Sequence, residues 1–216
     1  MTFFDETKSI IENIALLSAP LVLFISIIGL RQLQIAKNSL KITSARDAAK
    51  LSFEITKEYD EKFNQAYYNL AKAMQKNGIP EFEGIITDFT ITEYNKLDKN
   101  LRDKWEKNYS KIEIEFIHLT NLLECYSISF VKKIADEDIA FNIDCYLFLQ
   151  LTELGYPYII KKHNEDKINL SCLNTIQLYK IWKSRIIAMH NEQEFKNLQE
   201  KIRTAGVMEP LKPIGA

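Results

Sequence analysis

Between Glu12 and Arg31 the chain carries no charge: Asn13 to Leu30 reads NIALLSAPLVLFISIIGL. As a helix this run extends roughly 27 Å at about 1.5 Å per residue, close to the roughly 30 Å of a bilayer's hydrocarbon core. It is not a secretory signal, because Asp5, Glu6 and Glu12 outweigh Lys8 ahead of it and no Ala-x-Ala site follows. A buried core helix would carry a polar face, whereas Ser18 and Ser26 are the polar residues inside this one. The run therefore predicts a transmembrane helix at 13–30, with membrane lipid as its surroundings. Arg31, Lys37, Lys41, Arg46 and Lys50 follow against Asp47 alone. That bias puts the C-terminal side in the cytoplasm and residues 1–12 outside, in a single-pass arrangement.

The rest of the chain reads as all-α. Glycine and proline are scarce, six and five in 216 residues, and apolar residues recur at helical spacing. Leu33, Ala36, Leu40, Leu51, Ile55, Tyr59, Phe63, Tyr67, Leu70 and Met74 trace a stripe along a long helical stalk over 31–77, ended by Asn77-Gly78 and Pro80. A cytosolic helical bundle over 78–205 is expected next. A loop or strand-like segment runs to Phe89, and Thr90 or Thr92 caps a helix from Tyr94 to about Ile134 with a break near Tyr109-Ser110. Asp136-Glu137-Asp138 opens a helix to Leu154, Gly155-Tyr156-Pro157 breaks it, and a short helix reaches His163. The last long helix covers Leu173 to Met189, then a segment from Glu192 to Arg203 with Leu198 and Ile202 inward. Residues 206–216, with Pro210, Pro213 and Gly215, read as a loose tail.

Few residues are arranged for chemistry. The formal net charge is −1, so charge does not point to RNA, and the local basicity after the uncharged run suits anionic headgroups better. Cys125, Cys145 and Cys172 lack CxxC spacing and read as structural thiols in apolar surroundings. No metal or cofactor is expected. His118 reads as a core or interface histidine, His163 as part of a solvated helix end, and Glu113/Glu115 and Asp136/Asp138 as solvated faces and helix starts. One spacing stands out: Arg185-Ile-Ile-Ala-Met-His190, an Arg-x4-His late in a helical domain. Imidazole moves protons near neutral pH, and guanidinium holds phosphate oxygens.

That spacing resembles the HEPN superfamily of helical RNA-processing domains. Asn121-Leu-Leu-Glu-Cys-Tyr126 through Lys132-Lys-Ile-Ala-Asp-Glu-Asp138 resembles a pattern of bacterial single-pass proteins, with Lys133-Ile134 in place of Gly-Ile. The architecture as a whole resembles the membrane-associated accessory proteins of type VI-B CRISPR systems, which carry a divergent HEPN-like domain. The resemblance implies an antiphage effector of the bacterial inner membrane. It would assemble as a homo-oligomer, form a pore or depolarise the membrane, and partner an RNA-guided RNA nuclease. Ala15 and Ala19 would then let helices approach closely, Ser18 and Ser26 would face a lumen and Pro20 would kink the helix. Two alternatives stay open. One is a membrane-tethered, metal-independent endoribonuclease with Arg185 and His190 as its catalytic pair, and Ile186 departs from the polar residue usual there. The other is a non-catalytic scaffold or sensor.

Overall fold

The computed structural model describes residues 3–82, 84–165 and 171–204, the side chains of 3–19, 21 and 202–204 excepted. Its helices are α1 (Phe3–Lys76), α2 (Ile91–Lys96), α3 (Lys99–Asn108), α4 (Glu113–Val131), α5 (Glu137–Leu154), α6 (Tyr156–Glu165) and α7 (Leu173–Thr204). A 3-10 turn at Tyr109–Lys111 joins α3 to α4, and no strand occurs among the described residues. The chain divides into two compact units, Met1–Ala49 and Lys50–Ala216.

In the first unit α1 is a single helix through Pro20. The Ser26 hydroxyl donates to the Val22 carbonyl at 2.8 Å, satisfied within its own helix. The expected membrane-crossing helix at 13–30 is overturned: among the described residues no helix is long and apolar enough to cross a membrane. Pro20 and Val22–Leu30 are the part of the uncharged run whose side chains are described, and Arg31 ends it. The side chains of Ala15, Ser18 and Ala19, read as pore or oligomer contacts, and the tail at 206–216 lie outside what is described.

The second unit begins inside the stretch read as a stalk. From Lys50 onward α1 belongs to the bundle, and Phe63, Ala66, Leu70 and Met74 are buried at three-and-four spacing. The helix ends as its sequence requires. Gly78 takes φ +64, Ile79 N–H bonds the Met74 carbonyl at 2.9 Å and Gly78 N–H that of Gln75 at 3.2 Å, the paired bonds of a Schellman ending. Thr90 caps α2 through Glu93 N–H at 3.4 Å, and Asp136 caps α5 through Asp138 N–H at 3.0 Å. The 78–90 segment is a loop, fixed where Tyr156 donates to the Asp88 carbonyl at 2.9 Å and Asn164 to that of Phe89 at 3.2 Å.

Aromatic rings set the core. The Tyr126 ring lies 5.4 Å from Tyr59, 5.1 Å from Phe63, 4.9 Å from Phe130, 5.8 Å from Phe148 and 6.3 Å from Trp182. One residue of α4 thus meets α1, α5 and α7 at edge-to-face and offset distances. Its hydroxyl donates to buried Asp144 at 2.7 Å. A second stack, Tyr109, Phe116 and Tyr158 with Trp105, ties α3 and α6 to α4. The separate segment expected after Met189 is instead continuous with α7, and Leu198 is exposed rather than inward.

Burial raises the Asp144 carboxyl above its ordinary 3.8, with the Tyr126 hydrogen bond opposing and Asp60 adding to the rise. A carboxyl harder to ionise in the folded state costs stability as pH rises from about 4 through that raised value. Asp144→Asn keeps an acceptor for Tyr126 and removes the charge. The variant should melt a few degrees above the parent at pH 8, on the order of 1 kcal/mol, and match it below pH 4; differential scanning calorimetry across pH reads this.

Candidate functional site

The Arg-x4-His spacing lies on α7, so the site is built from that helix outward. Its first turn leaves N–H groups without helical partners, and the carboxylate of Glu124, on α4, fills them. Glu124 accepts from Asn174 N–H at 3.1 Å, Asn174 Nδ2 at 2.7 Å, Thr175 N–H at 2.9 Å and Thr175 Oγ1 at 2.8 Å. A negative group at a helix N-terminus also meets its dipole favourably. Two turns on, buried Trp182 donates its indole N–H to Glu137 at the start of α5.

Arg185 follows on the same side. Its Nη2 lies 2.7 Å from Asp138 Oδ1 and its Nη1 3.4 Å from Glu137 Oε2. Its guanidinium sits over the Phe141 ring at 4.0 Å. Three groups of α5 thus occupy the donors and the face that a phosphate would need. His190 is exposed, and its Nε2 is 3.5 Å from Glu194 Oε1 on the next turn. Five residues advance a helix by about 140° around its axis, so one chain does not bring Arg185 and His190 together.

The other titratable residues are dispersed. Among the described residues no three His, Cys, Asp or Glu side chains gather as metal ligands. Cys145 is buried and its thiol is raised by burial. Burial, then Glu124, pushes the Cys172 thiol up to about 12. Cys125 is exposed rather than in apolar surroundings. His163 is half-buried, with Nδ1 2.9 Å from the Ser171 carbonyl. His118 is exposed, in a groove of about 390 Å³ with Ala66, Asn69, Lys72, Ala73, Lys76, Ile114 and Glu115. Its placement was readable: the buried line 112, 116, 119, 123, 126, 130 of α4 is out of phase with position 118. A second groove, of about 460 Å³ beside Thr87, Asp88 and Ser184, has its lysines already paired. Lys180 meets Asp88 at 2.7 Å and Lys183 meets Glu153 at 2.7 Å.

Among the described residues a large exposed apolar surface lies in the first unit. Val22 to Leu30 is exposed around the whole helix. Beyond it Leu33, Ile35, Leu40 and Ile42 stand between 68 % and 71 % exposed. At about 100° per residue, Ile28, Ile35 and Ile42 fall on one line, while Leu30, Leu33 and Leu40 fall roughly 120–220° around from it, interrupted by Lys37. The sequence suggested one stripe here; the helix carries two, on opposite sides. Together these side chains leave roughly 1,000 Å² of apolar surface in water, above the few hundred usual for a monomer.

The chain matches no protein-family model, no curated protein and no solved structure.

The polar contacts of α7 predict a split between two residues of the same motif. Arg185→Ala should lower unfolding stability by about 1–2 kcal/mol through lost pairing and packing, and Glu124→Ala by about 1–3 kcal/mol. His190→Ala should stay within about 0.5 kcal/mol of the parent. Urea unfolding of the full chain followed by tryptophan fluorescence measures all three.

Proposed function

We propose that this chain is a non-enzymatic effector that assembles with further copies of itself at a membrane surface. The observation that carries this reading is the exposed apolar part of α1 from Val22 to Ile42. An uncharged helix segment that is apolar on every side is drawn to the apolar boundary of a bilayer surface, between headgroups and acyl chains. The segment that follows needs protein neighbours instead. Its two opposite stripes require one neighbour on each side, because a single two-fold partner covers one stripe and leaves the other in water. Contact of one stripe with the opposite stripe of the next copy is heterologous and adds copies until the array closes.

Gathering several such segments in one patch of bilayer perturbs its permeability, which is the activity proposed. The likeness of the helical architecture and of the Arg185–His190 spacing to type VI-B CRISPR accessory proteins supports an antiphage setting beside an RNA-guided RNA nuclease. Ribonuclease chemistry is the poorer reading, since Arg185 is engaged by Glu137, Asp138 and Phe141.

The assembly is tested on the full chain in mild detergent by light scattering with size exclusion. The parent should run as a discrete species larger than a dimer. Leu33→Glu with Leu40→Glu, and separately Ile35→Glu with Ile42→Glu, should each reduce it to a dimer or smaller with helicity unchanged. A monomeric parent, or either double variant at the parent's mass, sinks the proposal.

A further inference from the structure

We infer that Arg31, Lys37 and Lys41 form a basic collar on α1 that holds anionic lipid headgroups, an inference that rests on the membrane-surface reading above. Between Glu12 and Asp47 the chain has no acidic residue at all, and its charged side chains there are Arg31, Lys37, Lys41 and Arg46. Arg31, Lys37 and Lys41 are exposed, and among the described residues no ion pair engages them. Balance begins immediately afterwards: Arg46 lies 3.9 Å from Asp47, and Lys50 lies 3.6 Å from Glu54. The three cations are therefore left for a partner that brings negative charge.

Geometry selects the partner. Arg31 directly follows the uncharged segment, and Lys37 and Lys41 lie about 9 Å and about 15 Å farther along the axis. Where Val22–Leu30 meets the apolar boundary of a bilayer surface, Arg31 stands at headgroup level. Lys37 and Lys41 stand within one to two screening lengths of the surface, each about 8 Å at physiological salt. The three occupy roughly 120° of the helix circumference, and Gln34 and Asn38 share the strip between Arg31 and Lys41 as hydrogen-bond donors for phosphodiester oxygens. A nucleic acid offers the same phosphate, but single strands are held by rows of aromatic rings, and from Asn13 to Ser52 the chain offers only Phe24. Lipid matches both the charge and the apolar run that adjoins it.

Each basic residue near an anionic surface strengthens binding about fivefold. The full chain is sedimented with sucrose-loaded vesicles, of phosphatidylcholine alone or with about 30 % phosphatidylglycerol, near the anionic content of a natural leaflet. The parent should bind the anionic vesicles roughly 30- to 100-fold more tightly at low salt, a margin that shrinks as salt is added. R31Q/K37Q/K41Q should lose most of that margin while binding neutral vesicles as the parent does, which also controls for folding. R31K/K41R, which keeps the charge, should retain it. Equal binding of the parent to both vesicles overturns the collar and leaves the membrane reading standing. Binding to neither overturns the membrane reading itself. A triple variant that keeps the anionic preference, or a single-stranded RNA that displaces the parent from anionic vesicles at equal phosphate, overturns the assignment to lipid.

Discussion

The bundle is organised around the ring and hydroxyl of Tyr126. Its face and edges meet rings from α1, α4, α5 and α7, and its hydroxyl is committed to Asp144. A buried tyrosine of this kind does two jobs that phenylalanine cannot combine. It supplies apolar area to four helices, and it satisfies a carboxyl that otherwise would be left without a donor in the core. The cost is a carboxyl whose ionisation opposes folding. Trp182 repeats the arrangement on the neighbouring side, packing on Phe141 and Phe148 while its indole N–H is held by Glu137. Polar atoms of the core therefore fix which helix faces which, and the rings fill the space between.

The same logic reassigns the late Arg and His. A guanidinium ion-paired with the first turn of α5 and stacked on Phe141 ties two helices together. Glu124 ties α4 to the start of α7 in the same way, which accounts for a glutamate in the Asn121–Tyr126 segment without invoking catalysis. Both ends of α7's packed half are thus pinned by charge-assisted contacts to other helices. From Ile187 to Lys201 the helix has no cover, and His190 lies on that uncovered part.

Where the chain turns was legible from local chemistry. Asn77-Gly78, Thr90, Asp136 and Gly155 each sit where one residue's conformational freedom or side-chain acceptor decides the outcome, and helices begin or end at all four. What a given side chain faces was less legible. Leu198 has the spacing of an inward residue yet is exposed, because no element of the bundle packs against that part of α7. His118 lies in an apolar sequence yet reaches solvent, because its neighbours alternate between a buried line and a groove. Hydropathy counts residues along the chain, whereas burial depends on which angular sector another helix occupies. The membrane-crossing expectation rested on a window of composition, and among the described residues no helix is long and apolar enough to cross a membrane.

A single helix carries two kinds of apolar pattern, and their difference is the most telling statement about function. From Phe63 to Met74 the apolar residues share one sector, as fits a helix lying against one core. From Ile28 to Ile42 they divide between two opposite sectors. Charge changes at nearly the same place: the chain is free of acids from Asn13 to Arg46 and mixes both signs from Asp47 on, beside the boundary between the two compact units at Ala49 and Lys50. A domain stabilised by its own core has no need of that first segment for folding. Retaining roughly 1,000 Å² of exposed apolar surface invites aggregation, and selection tolerates such a surface where it is covered in use. Two-sided apolar stripes, an uncharged segment and unbalanced cations are the features on which the proposed covering rests: neighbouring copies along the stripes, a bilayer's apolar boundary at the segment, and anionic headgroups at the cations between them.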